Sequence, residues 1–199
     1  MKISILKRVF AVCLTAALCL SMAACSSASS SSVADPVEPD DTIYCTAGGT
    51  VTMPDGFEYP DTAGTMALQL DDTTQTLAGN LYILRYKTSK YYFTTGTTMT
   101  FTITPKLTDT AGEDVTTKYT DANVALWKKG DNVAEYIKTV HFAADGTTQT
   151  YTFEGLEAGA EYRFAFTYTT SSRYRVSGNF NFTGISGEGS ENETAAAEA

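Results

Sequence analysis

The chain has 199 residues, of which 23 are acidic and 14 basic, giving a formal net charge of −9, and it contains four cysteines and one histidine. An acid surplus of this kind gains nothing from phosphate backbones, so nucleic acid is excluded as an expected partner. One histidine and few thiols cannot supply the usual zinc or iron ligand sets, and no metal or cofactor is expected.

Residues 1–24 have the layout of an export signal: Lys2, Lys7 and Arg8 first, an apolar run over 9–20, and small residues over 21–24. The run is shorter than the about 20 apolar residues a membrane-spanning helix needs. Directly after it, Met22-Ala23-Ala24-Cys25 resembles the lipobox of bacterial lipoproteins, with Met22 where that family prefers Leu, Val or Ile. The resemblance implies cleavage before Cys25 and transfer of a diacylglyceryl group to its thiol. The partner would then be the lipid bilayer, reached through acylated Cys25, and the location the extracytoplasmic face of the cell membrane. An ordinary signal peptidase cutting after Ala24 would instead leave Cys25 a bystander.

After the signal, 11 bases face 23 acids, a formal charge of −12. Residues 25–48 are serine-rich at first and then acidic and proline-bearing, from Asp35 to Asp41, and this composition predicts a disordered tether. Cys13 and Cys19 leave with the signal and Cys25 carries lipid. Cys45 remains as a lone thiol, expected as a small buried hydrophobe.

Residues 49–184 read as strand after strand. Alternating apolar positions predict strands over 50–53, 66–70, 81–87, 91–95, 98–104, 124–128, 135–142 and 148–154. Pro105 is expected to end the fifth of these ladders, and Asp145-Gly146 to turn a hairpin. Two further alternating runs, around Phe164 and around Phe180, flank Thr170-Ser171-Ser172 and read as a long hairpin. The fold class is all-β, an antiparallel β-sandwich. Residues 185–199, rich in Gly and Glu, are expected to form an acidic disordered tail.

One local sequence refines the class. Tyr151-Thr-Phe-Glu-Gly155-Leu156-Glu-Ala-Gly159-Ala-Glu-Tyr162-Arg-Phe164 resembles the corner of fibronectin type III domains. The resemblance implies a fibronectin-like or immunoglobulin-like sandwich in which the Tyr162 ring joins the core and its hydroxyl ties back the turn. Such domains mostly bind or space, and seldom catalyse.

Candidate chemistry is sparse. Asp55, Glu58 and Asp61 share a loop without EF-hand spacing and read as a polar loop, while His141, between Val140 and Phe142, reads as a structural or surface residue. Aromatic side chains are the most suggestive feature, because sheet faces carrying Trp, Tyr and Arg stack on sugar rings or form protein hot spots. Trp127, Tyr86, Tyr91, Tyr92 and Arg85 are therefore the expected ligand-binding set, against a reading of Trp127 as a core residue between sheets. The expected function is a non-catalytic surface module for a glycan or a protein. The alternatives are a spacer lipoprotein without small ligand and, third, a small hydrolase with paired carboxylates.

Overall fold

The computed structural model describes residues 42–60 and 64–191. The signal, Cys25, most of the tether, Asp61 and residues 192–199 lie outside the described residues. Within them the chain forms β1 (Thr46–Ala47), β2 (Thr65–Asp71), β3 (Thr76–Ile83), β4 (Tyr86–Thr88), β5 (Tyr91–Thr108), β6 (Asp121–Lys128), β7 (Glu135–Ala143), β8 (Gln149–Glu154), β9 (Glu161–Thr167) and β10 (Arg175–Glu191). The described residues include no helix, and every pairing between these strands is antiparallel.

Two long strands, β5 and β10, serve both layers of the sandwich. Residues Thr98 to Ile103 of β5 pair with β8, whereas Phe93 and Thr94 pair with β9. The first layer runs β2-β3-β10-β5-β8-β1, and the second runs β10-β5-β9-β6-β7 with β4 also on β9. β10 turns the corner at Gly184, whose φ of 87° is open to glycine, and its pairing with β5 shifts register on both sides of Ile185.

Between the layers, alternate residues meet in a phenylalanine cluster. Phe101, Phe142, Phe166, Phe180 and Phe182 are all 0% exposed, and Phe101 has ring centroids of the other four within 4.9 to 6.3 Å. Gly79 on β3 leaves room for one of them, since a Cβ there would overlap the Phe180 ring. The corner before β9 is built as its sequence predicts: Tyr162 is buried and its hydroxyl accepts a hydrogen bond from the Glu157 amide at 2.8 Å.

Several local expectations are corrected. Residues 50–53 form no strand; the Asn181 side chain holds them instead, accepting from Thr52 N at 2.7 Å and donating to Thr52 O at 2.8 Å. The run 81–87 divides, with β3 ending at Ile83 and β4 joining the other layer, so Leu84 and Arg85 form an exposed bend. Pro105 does not end its strand. Its carbonyl accepts from Gly146 N, on the side away from β10, and a strand residue's nitrogen lies on the same side as its carbonyl, so the β10 ladder loses no donor.

Asp145-Gly146 turns between layers rather than within a hairpin. β8 pairs with β5 and β1, and Gln149 clamps the turn by bonding Ala143 N and O. Likewise β9 and β10 do not pair, because β6 takes one flank of β9 and β4 and β5 take the other. In the fibronectin arrangement the last strand lies beside the strand that follows the tyrosine corner; here β10 lies between β3 and β5. Finally, residues 185–191 of the expected tail are strand.

Cys45 is half-buried and packs against the core, and desolvation pushes its thiol up to about 12. In a soluble form beginning at Ser26, where Cys45 is the single thiol, a thiol reagent at pH 8 should react roughly a hundredfold more slowly with the folded protein than with the unfolded chain. Equal rates would mean that the thiol stands open to solvent.

Candidate functional site: the outer face of the second layer

The outward side chains of β7, β6, β9, β4 and β5 align in three rows across the strands. The first row is Tyr136, Trp127 and Arg163, by direct register. Tyr92 extends it on β5, one step beyond the Phe93–Tyr162 pair, with the Arg163 guanidinium 5.9 Å from the centre of its ring. The middle row holds only small residues, Thr139, Ala125, Ala165 and Thr88. The third is His141, Asn123, Thr167 and Tyr86.

Rows two residues apart stand about 6.7 Å from one another, so the first and third are separated by about 13 Å. Of the middle row, Thr139 and Ala125 are partly open while Ala165 and Thr88 are each only 2% exposed, so the low ground between the two rows lies on β7 and β6. In the flanking rows, Tyr136 is 52% exposed and Tyr86 47%. Beyond His141, Tyr44 continues the third row, its ring 5.4 Å from the imidazole. His141 Nδ1 lies 3.0 Å from Asp121 Oδ1.

A bulge in β7 assembles the aromatic wall. Leu126 faces Lys138 but Trp127 faces Tyr136, so Ile137 is the extra residue and packs towards the core. Without the bulge Ile137 would oppose Trp127. With it, the Trp127 and Tyr136 rings meet edge to face at 5.2 Å on the outer surface.

Past the Tyr92 end of this wall, the β6–β7 loop and the end of β10 enclose an open hollow of about 520 Å³, with Lys129, Asp131, Asn132, Arg163 and Glu191 among its lining. Glu161 supports that corner. Its carboxylate takes Lys129 Nζ at 2.5 Å and Ser190 N at 2.5 Å, which ties together the ends of β6, β9 and β10. The Lys129 bond, with the Ser190 donors, holds the carboxyl below the usual carboxylate range.

A carboxylate lowered in this way adds stability above its unfolded value of about 4.5, and that contribution is lost as pH falls through the lower folded value. Glu161→Gln should therefore reduce unfolding free energy by about 1–2 kcal/mol at pH 7. The gap between variant and wild type should close below pH 4, which urea titration at several pH values would reveal.

The structure divides the residues singled out in the sequence. Trp127 lies on the outer face and not in the core, since Ala122, Val124 and Leu126 point inward from β6. Tyr92 and Tyr86 share that face. Tyr92, however, is only 8% exposed and lies beneath Arg163 and Lys129, so it seats cations instead of offering an open ring. Tyr91 points the opposite way, between the layers, and Arg85 stands in the bend, where its carbonyl accepts from Tyr168 N. Sequence reasoning missed Tyr136, Arg163 and Asn123. Alternation places Arg163 outward, but strand pairing alone brings it beside Trp127. Among the described residues no group of three or more His, Cys, Asp or Glu is placed to hold a metal ion.

No family model matches the sequence. No curated protein matches it either. Among solved structures the chain is similar to one described as "CBM4 structure and function", at 13% identity and TM-score 0.32, covering 60% of this chain and 85% of that one. It is also similar to two single-residue mutants of a family 29 carbohydrate binding module, CBM29-2, at 11% and 10% identity and TM-score 0.29 for each. These cover 73% of this chain, and 85% and 91% of the respective neighbours.

Proposed function

We propose that this chain is a lipoprotein, held at the extracytoplasmic face of the membrane through acylated Cys25, whose sandwich binds a glycan without catalysing its cleavage. The observation that carries the glycan reading is the aromatic wall of Trp127 and Tyr136 beside the partly open Ala125 and Thr139 on the outer sheet face. A sugar ring has an apolar C–H face and a rim of hydroxyls. Aromatic rings suit the first. Arg163, Asn123 and the polar lining of the adjoining hollow suit the second, giving the mix of apolar surface and few polar groups that orients a small ligand.

The anchor rests on the sequence Met22-Ala23-Ala24-Cys25; among the described residues no helix is long and apolar enough to cross a membrane. The test of the glycan reading is an array of glycans and peptidoglycan fragments probed with the soluble form beginning at Ser26. Saturable binding to a defined saccharide is expected. A folded domain that binds nothing on such an array would overturn the reading, and binding only to a protein partner would replace it.

A further inference from the structure

The two layers do not close along one flank. Among the described residues β2 pairs only with β3, and β4 only with β9, and side chains of both line one opening. Between them lies an apolar cleft of about 340 Å³, walled by Met66, Leu68 and Leu70 of β2, with Leu77 and Phe93 in its floor. All three β2 side chains remain partly open to solvent although they pack against the core. The volume is within the range of small-ligand clefts, about 300–1,000 Å³, and so is the apolar character of the lining.

The charges at the mouth are distributed unevenly. Lys87, Lys90 and Glu188 all line it. Lys90 is engaged: its ammonium lies 4.9 Å from the Tyr91 ring centre and 4.0 Å from Glu191, and Glu188 adds to the negative field around it. Lys87 differs. It pairs in register with the fully buried Phe166, which turns its side chain between the layers, and among the described residues no carboxylate pairs with its ammonium. In a chain with 23 acids and 14 bases, an unpaired cation at an apolar opening is a selective feature.

We propose that this cleft binds a free single-chain carboxylate amphiphile, such as a fatty acid, with the chain against Met66, Leu68, Leu70 and Phe93 and the carboxylate on Lys87. The site is separate from the glycan face: Tyr91 and Tyr92 are consecutive in β5 and point to opposite sides.

The test is displacement of a dansyl-labelled undecanoic acid from the soluble form by dodecanoate, with dodecanol as the neutral counterpart. Wild type should bind both, dodecanoate more tightly. Lys87→Met keeps an apolar stem in place and should weaken dodecanoate by about fivefold while leaving dodecanol unchanged, the effect of one partly exposed ion pair. Leu68→Glu, which puts a carboxylate in the wall, should abolish dodecanoate binding, and Lys87→Met serves as the second arm if that variant does not fold. Absence of displacement by dodecanoate below its micelle-forming range would overturn the proposal, as would a Lys87→Met variant with unchanged preference. In that event Lys87 serves to protect a free strand edge from further pairing.

Discussion

Replacing Phe101 by Ala should lower the unfolding free energy of the domain by about 3–5 kcal/mol, the largest effect expected of any single core change. Phe101 is on the stretch of β5 that belongs to the first layer, yet its ring touches Phe142 of β7 and Phe166 of β9 in the second, as well as Phe180 and Phe182 of β10. All of these are fully buried, so truncation leaves a void that rigid aromatic neighbours cannot refill. A domain of this size typically has about 5–15 kcal/mol in hand, and the variant should still fold. Urea titration should show a lower midpoint with an unchanged slope. A loss near 1 kcal/mol would mean that the two layers do not share one core.

That cluster is readable in outline. Alternation around Phe164, Phe180 and Phe101 identifies inward positions, because the side-chain period of a strand is fixed by its pleat. Partners are not readable. Periodicity says which face a residue takes but not which strand lies beside it, so neighbouring runs read as hairpins where the chain in fact crosses between layers. The expected tail shows a second limit. Gly187 and Gly189 look like disorder, but a Cβ at Gly189 would overlap the Glu161 carboxylate and one at Gly187 would crowd Thr94. Those glycines let β10 pass close to side chains of β9 and β5, and the contact that explains them is tertiary.

The candidate site is half legible for the same reason. Trp127 and Tyr92 stand out as aromatic, and alternation is enough to place Arg163 outward. The bulge that substitutes Tyr136 for Ile137 opposite Trp127 depends on how β7 meets β6, and nothing in either strand alone announces it.

Cys25→Ala should move the protein from the membrane fraction entirely to the soluble fraction and abolish incorporation of labelled palmitate. Each buried methylene of an acyl chain contributes about 0.8 kcal/mol, and two chains together give stable attachment. Beyond the signal, 11 bases against 23 acids are repelled by anionic headgroups, and among the described residues no helix is long and apolar enough to cross a membrane. Retention of the alanine variant in carbonate-washed membranes would refute the anchor and leave Cys25 a bystander.

The proposed glycan-binding surface is the outer face built around Trp127. Trp127 is the sole tryptophan of the chain, so its fluorescence reports on that face alone. The decisive measurement is a titration of the soluble form with the saccharide selected on the array, following Trp127 emission, in parallel with calorimetric titration of a Trp127→Ala variant whose folding has been verified. A saturable emission change is expected in the wild type, with binding weakened about thirtyfold in the variant, the loss of a central aromatic contact. Binding that leaves Trp127 emission unaltered and survives Trp127→Ala undiminished would contradict the proposal.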